Sequence, residues 1–123
     1  MLLLNAEYYI FIGDYRMSIL ESVIALELVL SNFIRQEGEK RNIGDSDIKN
    51  YIKNIGVTGN IKVTIKMLIE NNLPSDDVFE KCKSGISIRN KIVHEGRENV
   101  NENETKNTLE SNKFMMKFLI DKM

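Results

Sequence analysis

An apolar stripe in the first third of the chain constrains the fold more than any other feature of the sequence. Its members recur at steps of three and four residues: Ile19, Val23, Leu26, Leu30 and Phe33. This spacing predicts a helix with one buried face. We place that helix from Ala6 to Glu37, since Gly38 and a polar run follow it. A helix of this length with so broad an apolar face must pack against several partners.

The remainder of the chain also favours helices. Helical spacing predicts four further segments, at 45–55, 61–72, 76–95 and 104–122. The segment 61–72 begins with strand-like alternation, but it is long and has no strand partner nearby. A turn is expected at 56–60, and Gly96 is expected to end the fourth helix in a left-handed conformation. We therefore predict an all-α, up-and-down bundle of about five helices with a long first helix, formed by residues 1–123 as one domain.

Composition excludes several classes of function. The net charge is −1, so the whole molecule is not a general polyanion binder. The one cysteine, Cys82, excludes an internal disulfide framework and a cysteine-rich zinc site.

The apolar start MLLLNAEYYIFIG is too short to span a bilayer and lacks the charge pattern of a signal peptide, so we interpret it as the opening of a core helix. A cytoplasmic protein without membrane association, metal or cofactor is expected.

The stretch RNKIVH, residues 89–94, contains the chain's one histidine. Arg89 falls in an apolar stripe with Phe79, Cys82, Ile86 and Val93. Asn90 and His94 are four residues apart and share a polar face. An arginine in an apolar stripe needs an acidic partner, because an unpaired buried charge is very costly. Glu27, in the apolar part of the long first helix, is the best candidate.

Each of these polar residues also has a purely structural interpretation. Arg89 would then form an interhelical ion pair, and His94 would be a surface residue favoured by the negative end of the helix dipole. A histidine near neutrality can instead act as a general acid or base. The window 81–97 has five basic residues and one carboxylate, a net charge of +4. Such a strip suits a phosphate-bearing ligand, although a solvated charged face is the commoner explanation.

Together, these residues resemble a known family. An arginine, a polar residue and a histidine in the order R-N-x-x-x-H, near the end of a helix in a small all-α domain, are similar to the motif of the HEPN superfamily. Arg89, Asn90 and His94 carry the match, and either Glu27 or Glu21 matches the acidic residue that the first helix of such domains often has. The resemblance extends over the chain in length and helix order.

The resemblance implies a metal-independent endoribonuclease that acts as a homodimer, with one motif per protomer meeting in a composite site. His94 would move protons during attack of the ribose 2′-hydroxyl on the adjacent phosphate. Arg89 would hold that phosphate, and Asn90 would orient the site. Glu27 would support Arg89, while the basic strip supplies three further candidates for contacts with single-stranded RNA: Lys83, Lys91 and Arg97.

Further expectations about partners follow from the same resemblance. The setting would be a toxin–antitoxin or phage-defence system, with an antitoxin or regulatory protein as a further partner. One branch of the family has a modified tyrosine two residues after the histidine, where this chain has Gly96. The alternative to a nuclease is a catalytically silent HEPN-like module that dimerises and binds a partner protein or a nucleotide.

Overall fold

The structure is a computed structural model that describes residues 2–123, with side chains from Leu4 onward, and this part of the chain contains helices and no strand. Five helices have ten residues or more, as predicted. They are joined by a π-helical segment, Asn60–Thr64, and a one-turn helix. In chain order the α-helices are α1 (Leu2–Phe11), α2 (Tyr15–Lys40), α3 (Asp45–Gly59), α4 (Ile65–Leu68), α5 (Asp76–Glu95) and α6 (Glu102–Lys122).

Helix α2 lies at the centre of the bundle and packs against α1, α3, α5 and α6. Its predicted stripe is the core, since Ile19, Val23, Leu26, Leu30 and Phe33 are all buried. Helices α5 and α6 form an antiparallel pair. The Cys82 thiol donates to the Ser111 carbonyl at 3.5 Å, and one turn further along α5, Gly85 lies against Thr108.

The break between α1 and α2 contradicts the prediction of one continuous helix from Ala6 to Glu37. Gly13 has a φ of +80°, and the amides of Gly13 and Asp14 donate to the carbonyls of Ile10 and Tyr9. These two bonds form a Schellman motif, which ends α1. The Asp14 carboxylate then accepts from the Met17 amide at 3.2 Å and caps α2. The long helix therefore begins at Tyr15 and continues to Lys40.

Helix α1 is not the core helix that its composition indicates. Ala6 is buried, and its carbonyl accepts a hydrogen bond from the Ser18 hydroxyl at 2.8 Å. Leu4, Tyr8, Phe11 and Ile12 are instead 50% to 87% exposed. Ala6 is the one fully covered residue among the described residues of α1, Tyr9 and Ile10 are partly buried, and the other large apolar side chains described point to solvent.

The expected turn at 56–60 is reduced to a break at Gly56, and the expected helix at 61–72 is helical as far as Leu68. Gly56 supplies the kink, with a φ of +77°. Beyond it the chain resumes helical geometry and passes through the π-helical segment into α4. Helix α4 ends at Leu68, because Ile69 is extended, so the predicted helix stops several residues early.

Helix α2 is also the one described helix long and apolar enough to cross a membrane by length and composition alone. Half of its most apolar 18-residue window is buried inside the bundle. The core helix of a soluble protein passes the same test, so this property does not assign a compartment.

Candidate functional site

The R-N-x-x-x-H residues occupy the last two turns of α5. The helix begins at the Ser75 cap, whose hydroxyl accepts from the Val78 amide at 3.4 Å. It ends at Gly96, whose φ of +66° is the left-handed stop that the sequence predicts. The Arg97 amide closes this end on the Lys91 carbonyl at 3.1 Å. Residues at each end of α5 therefore determine where the helix begins and where it stops.

Arg89 is paired with Glu27, the partner that the sequence favours. Its Nη2 lies 2.8 Å from the Glu27 Oε1, which joins α5 to α2. The side chains are 20% and 37% exposed, so the pair is partly shielded from water. The Glu27 Oε1 is itself buried and receives no hydrogen bond of good geometry. The contact is therefore an ion pair with imperfect alignment.

Asn90 fixes the other side of the guanidinium. The Arg89 Nε donates to the Asn90 Oδ1 at 3.0 Å. Glu27, Arg89 and Asn90 thus form a connected chain that holds the guanidinium in one orientation. An arginine has five N–H donors, so several remain to bind a ligand.

His94 stands apart from this chain of contacts. Its side chain is exposed and makes no hydrogen bond or ion pair with the described residues of the protein. Val93 is 57% exposed, which contradicts its place in the predicted apolar stripe. Ile88 and Ile92 are buried instead. The covered side of α5 therefore shifts around the helix near its end, toward Ile88 and Ile92, and leaves Val93 in solvent.

Glu27 and Arg89 line a cleft of about 310 Å³ between α2, α3 and α5. Lys53 and Gly56 of α3 also line it, whereas Asn90 and His94 do not. Sequence reasoning missed Lys53, because an exposed lysine on a short helix has no distinguishing local signal. Only the packing of α3 on α2 and α5 brings it to the cleft.

The π-helical segment forms another wall of this cleft. Asn60 is buried, donates to the Ile52 carbonyl at 3.3 Å and accepts from the Thr64 hydroxyl at 2.9 Å. The Thr64 hydroxyl is also 2.8 Å from the Tyr51 hydroxyl. These bonds satisfy polar groups buried within the bundle and hold the kink of α3 in place.

The predicted phosphate-binding residues differ in their surroundings. The Arg97 Nη2 donates to both carboxylate oxygens of Glu104, at 3.0 and 2.8 Å, and the Lys83 Nζ lies 2.6 Å from the Glu80 Oε1. Lys91 is exposed and has no ion pair with any residue from Leu2 onward. The positive charge available near His94 is therefore smaller than the sequence count indicates.

Cys82 is a core residue, in agreement with its place in the apolar stripe. It is fully buried, and burial raises the pKa of its thiol to about 11, while the hydrogen bond to Ser111 opposes the shift. A thiol of this kind is a poor nucleophile at neutral pH. Within the described residues, no group of three or more His, Cys, Asp or Glu side chains is placed to hold a metal ion.

Comparison with protein-family models, curated proteins and solved structures finds no match to this chain.

Proposed function

We propose that the chain is a metal-independent endoribonuclease of the HEPN type that cleaves single-stranded RNA. The observation that carries the proposal is the contact chain of Glu27, Arg89 and Asn90. It holds one guanidinium partly exposed within a turn and a half of an exposed histidine. Phosphodiester cleavage by a neighbouring hydroxyl requires an oriented cation and an accessible acid–base group, and the end of α5 supplies both.

The reaction needs two proton transfers. A base removes the proton of the ribose 2′-hydroxyl as its oxygen attacks phosphorus, and an acid protonates the departing 5′-oxygen. One copy of the chain has a single histidine. We therefore assign the two roles to His94 residues of two copies in a homodimer, with Arg89 on the negative charge that develops at phosphorus.

The basic residues near His94 differ in how readily they can bind RNA phosphates in this proposal. Lys91 is available to bind RNA phosphates, whereas Lys83 and Arg97 must exchange their present carboxylate partners for phosphate. The wider setting rests on the family resemblance alone: a cytoplasmic toxin or phage-defence ribonuclease, restrained by an antitoxin or regulatory protein.

The test is cleavage of single-stranded RNA in EDTA by the wild type, His94→Ala and Arg89→Lys. His94→Ala should lower the rate by about 10²-fold or more. It should leave the fold intact, since His94 is exposed and makes no contact that the change removes. Arg89→Lys should also be impaired, because lysine keeps the charge but loses the planar fork.

Ser87→Ala is the matched control, since Ser87 is exposed on the same helix and makes no side-chain hydrogen bond within the described chain. Cleavage of equal rate in the wild type and His94→Ala would contradict the proposal, as would a wild type that cleaves no RNA when dimeric.

One observation favours the silent HEPN-like module as a second candidate. The charge of Arg89 is already balanced by Glu27, and the cleft that Arg89 lines does not include His94. A cleft with Arg89, Lys53 and a carboxylate suits binding of a nucleotide or partner protein without cleavage. Under this candidate His94→Ala leaves binding unchanged, while Lys53→Ala weakens it.

A further inference from the structure

The outer face of α6 is the clearest surface outside the motif region that lacks a partner. We name as the α6 face its exposed residues Lys106, Glu110, Lys113, Phe114, Lys117, Ile120 and Asp121. On an α-helix these positions fall within a sector of roughly 120°. We propose that two copies of the chain associate through this face, with their α6 helices antiparallel about a two-fold axis beside Phe114.

The first argument is the apolar surface. Phe114 and Ile120 are both about half exposed, and they line a hollow of about 520 Å³ on α6. Helix α1 lies alongside, where Lys113 pairs with Glu7 at 2.6 Å. Leu4 and Phe11 of α1 are also exposed. Their directions differ from that of Glu7 by about 40° to 60° around the helix axis. Adjoining apolar surfaces on two packed helices mark an interaction site rather than scattered exposure.

The second argument is the order of charges along α6. In an antiparallel pair with a two-fold axis between positions 113 and 114, residues whose numbers add to the same total stand opposite each other. Glu110 then faces Lys117 of the second copy, and Lys106 faces Asp121 of the second copy. The symmetry repeats both pairs, so four opposite-charge contacts lie on the two sides of the axis, where Phe114 stands opposite Lys113 of the second copy.

The same charges disfavour the parallel arrangement. A parallel pair places Glu110 against Glu110 and Lys117 against Lys117, which opposes like charges. Glu110, Lys117 and Asp121 have no ion pair in the described part of the chain, so they are available to a partner, whereas Lys106 must exchange Glu102, 2.7 Å away, for Asp121 of the second copy. Surface ion pairs are individually weak, so we assign affinity to the apolar side chains, and direction and register to the charges.

This contact is separate from the proposed catalytic site. No residue of α6 lines the cleft at Arg89, so association through α6 leaves that cleft open. The composite site of the proposed ribonuclease requires its own contact at the end of α5. A chain that uses both contacts would form a closed tetramer or an open row of dimers, according to how the two axes are oriented. The α6 contact holds or fails independently of RNA cleavage.

The experiment is sedimentation equilibrium of the full chain across a concentration series. Glu110→Lys and Lys117→Glu should each weaken association at least tenfold, because each converts two attractive contacts into repulsive ones. An equimolar mixture of the two variants should associate again. In the mixed pair, each lysine at 110 or 117 faces a glutamate. Glu39→Lys and Lys62→Glu are the matched controls, as both positions are exposed on other elements.

Three results would overturn the inference. If the wild type stays monomeric at high concentration, the proposed α6 contact does not form. If neither variant weakens association, the two copies meet through another surface. Binding of the monomer to anionic phospholipid vesicles, abolished by Phe114→Asp but not by Met67→Asp, would assign the α6 face to a bilayer. Circular dichroism of every variant confirms that the fold is retained.

Discussion

The ion pair between Glu27 and Arg89 gives the sharpest test of the site, through Glu27→Gln, Arg89→Met and the double variant. Fully exposed pairs contribute about 0.2–1 kcal/mol. Loss of one partner from a fully buried pair costs about 3–5 kcal/mol. With side chains 20% and 37% exposed, this pair lies between those limits.

The unequal environments of the two partners set the expected values. Arg89→Met leaves the Glu27 Oε1 buried without its cation and removes the bond to Asn90, so we expect a loss of about 2 kcal/mol. Glu27→Gln leaves an arginine that keeps Asn90 and reaches the solvent of the cleft, so the loss should be about 1 kcal/mol. The double variant should recover about 1 kcal/mol relative to the sum of the single losses.

The assay is urea unfolding of the four proteins at pH 7, followed by circular dichroism, with the free energies combined in a double-mutant cycle. A coupling energy below about 0.3 kcal/mol would be within the additivity expected of independent sites. That result would refute the view that Glu27 holds the guanidinium in place. RNA cleavage by Glu27→Gln then gives the functional counterpart, since a misplaced Arg89 should lower the rate without loss of the fold.

Two further predictions concern the contact between α5 and α6. Gly85→Ala places a Cβ 2.5 Å from the Thr108 Cγ2, so about 1–3 kcal/mol of overpacking should exceed the gain of about 1 kcal/mol in helix propensity. Unfolding of the double variant with Thr108→Ala should show recovery, and a stabilised Gly85→Ala would contradict the close packing. Because the pKa of Cys82 is raised from 9.0 to about 11, the unfolded chain loses the thiol proton first, and stability should fall by up to about 3 kcal/mol as pH rises from 9 to 11. Urea unfolding of Cys82→Ala over the same pH range should show a smaller fall, and equal falls would refute the assignment.

Much of the candidate site was predictable because α5 carries its own signals. Ser75 and Gly96 define its ends, and the arginine in an apolar stripe required an acidic partner. Glu27 was the natural choice in the apolar part of the long helix, and the structure confirms it. The exposure of Val93 was not predictable, since spacing shows the direction of a side chain but not which side of the helix its neighbours cover.

The errors at α1 and at the kink of α3 have different origins. Gly13 and Asp14 are a stop signal followed by a cap, but the continuous apolar pattern across them suggested one helix. The sequence predicts a turn that begins at Gly56, and the chain does break there, but helical geometry resumes directly after the positive φ of this one residue. The first error gave too little weight to a local stop signal, and the second gave a single break the length of a full turn.

The sequence by itself determined the helical class, the buried stripe of α2 and the ends of α5, because these depend on residues a few positions apart. Only the tertiary structure decided that Lys53 joins Arg89 at one cleft, that Arg97 is neutralised by Glu104, and that α1 and α6 present apolar side chains to solvent. The physical reason is that burial and pairing depend on where separate helices meet. The periodicity of one helix shows which way its side chains point, but not what lies opposite them.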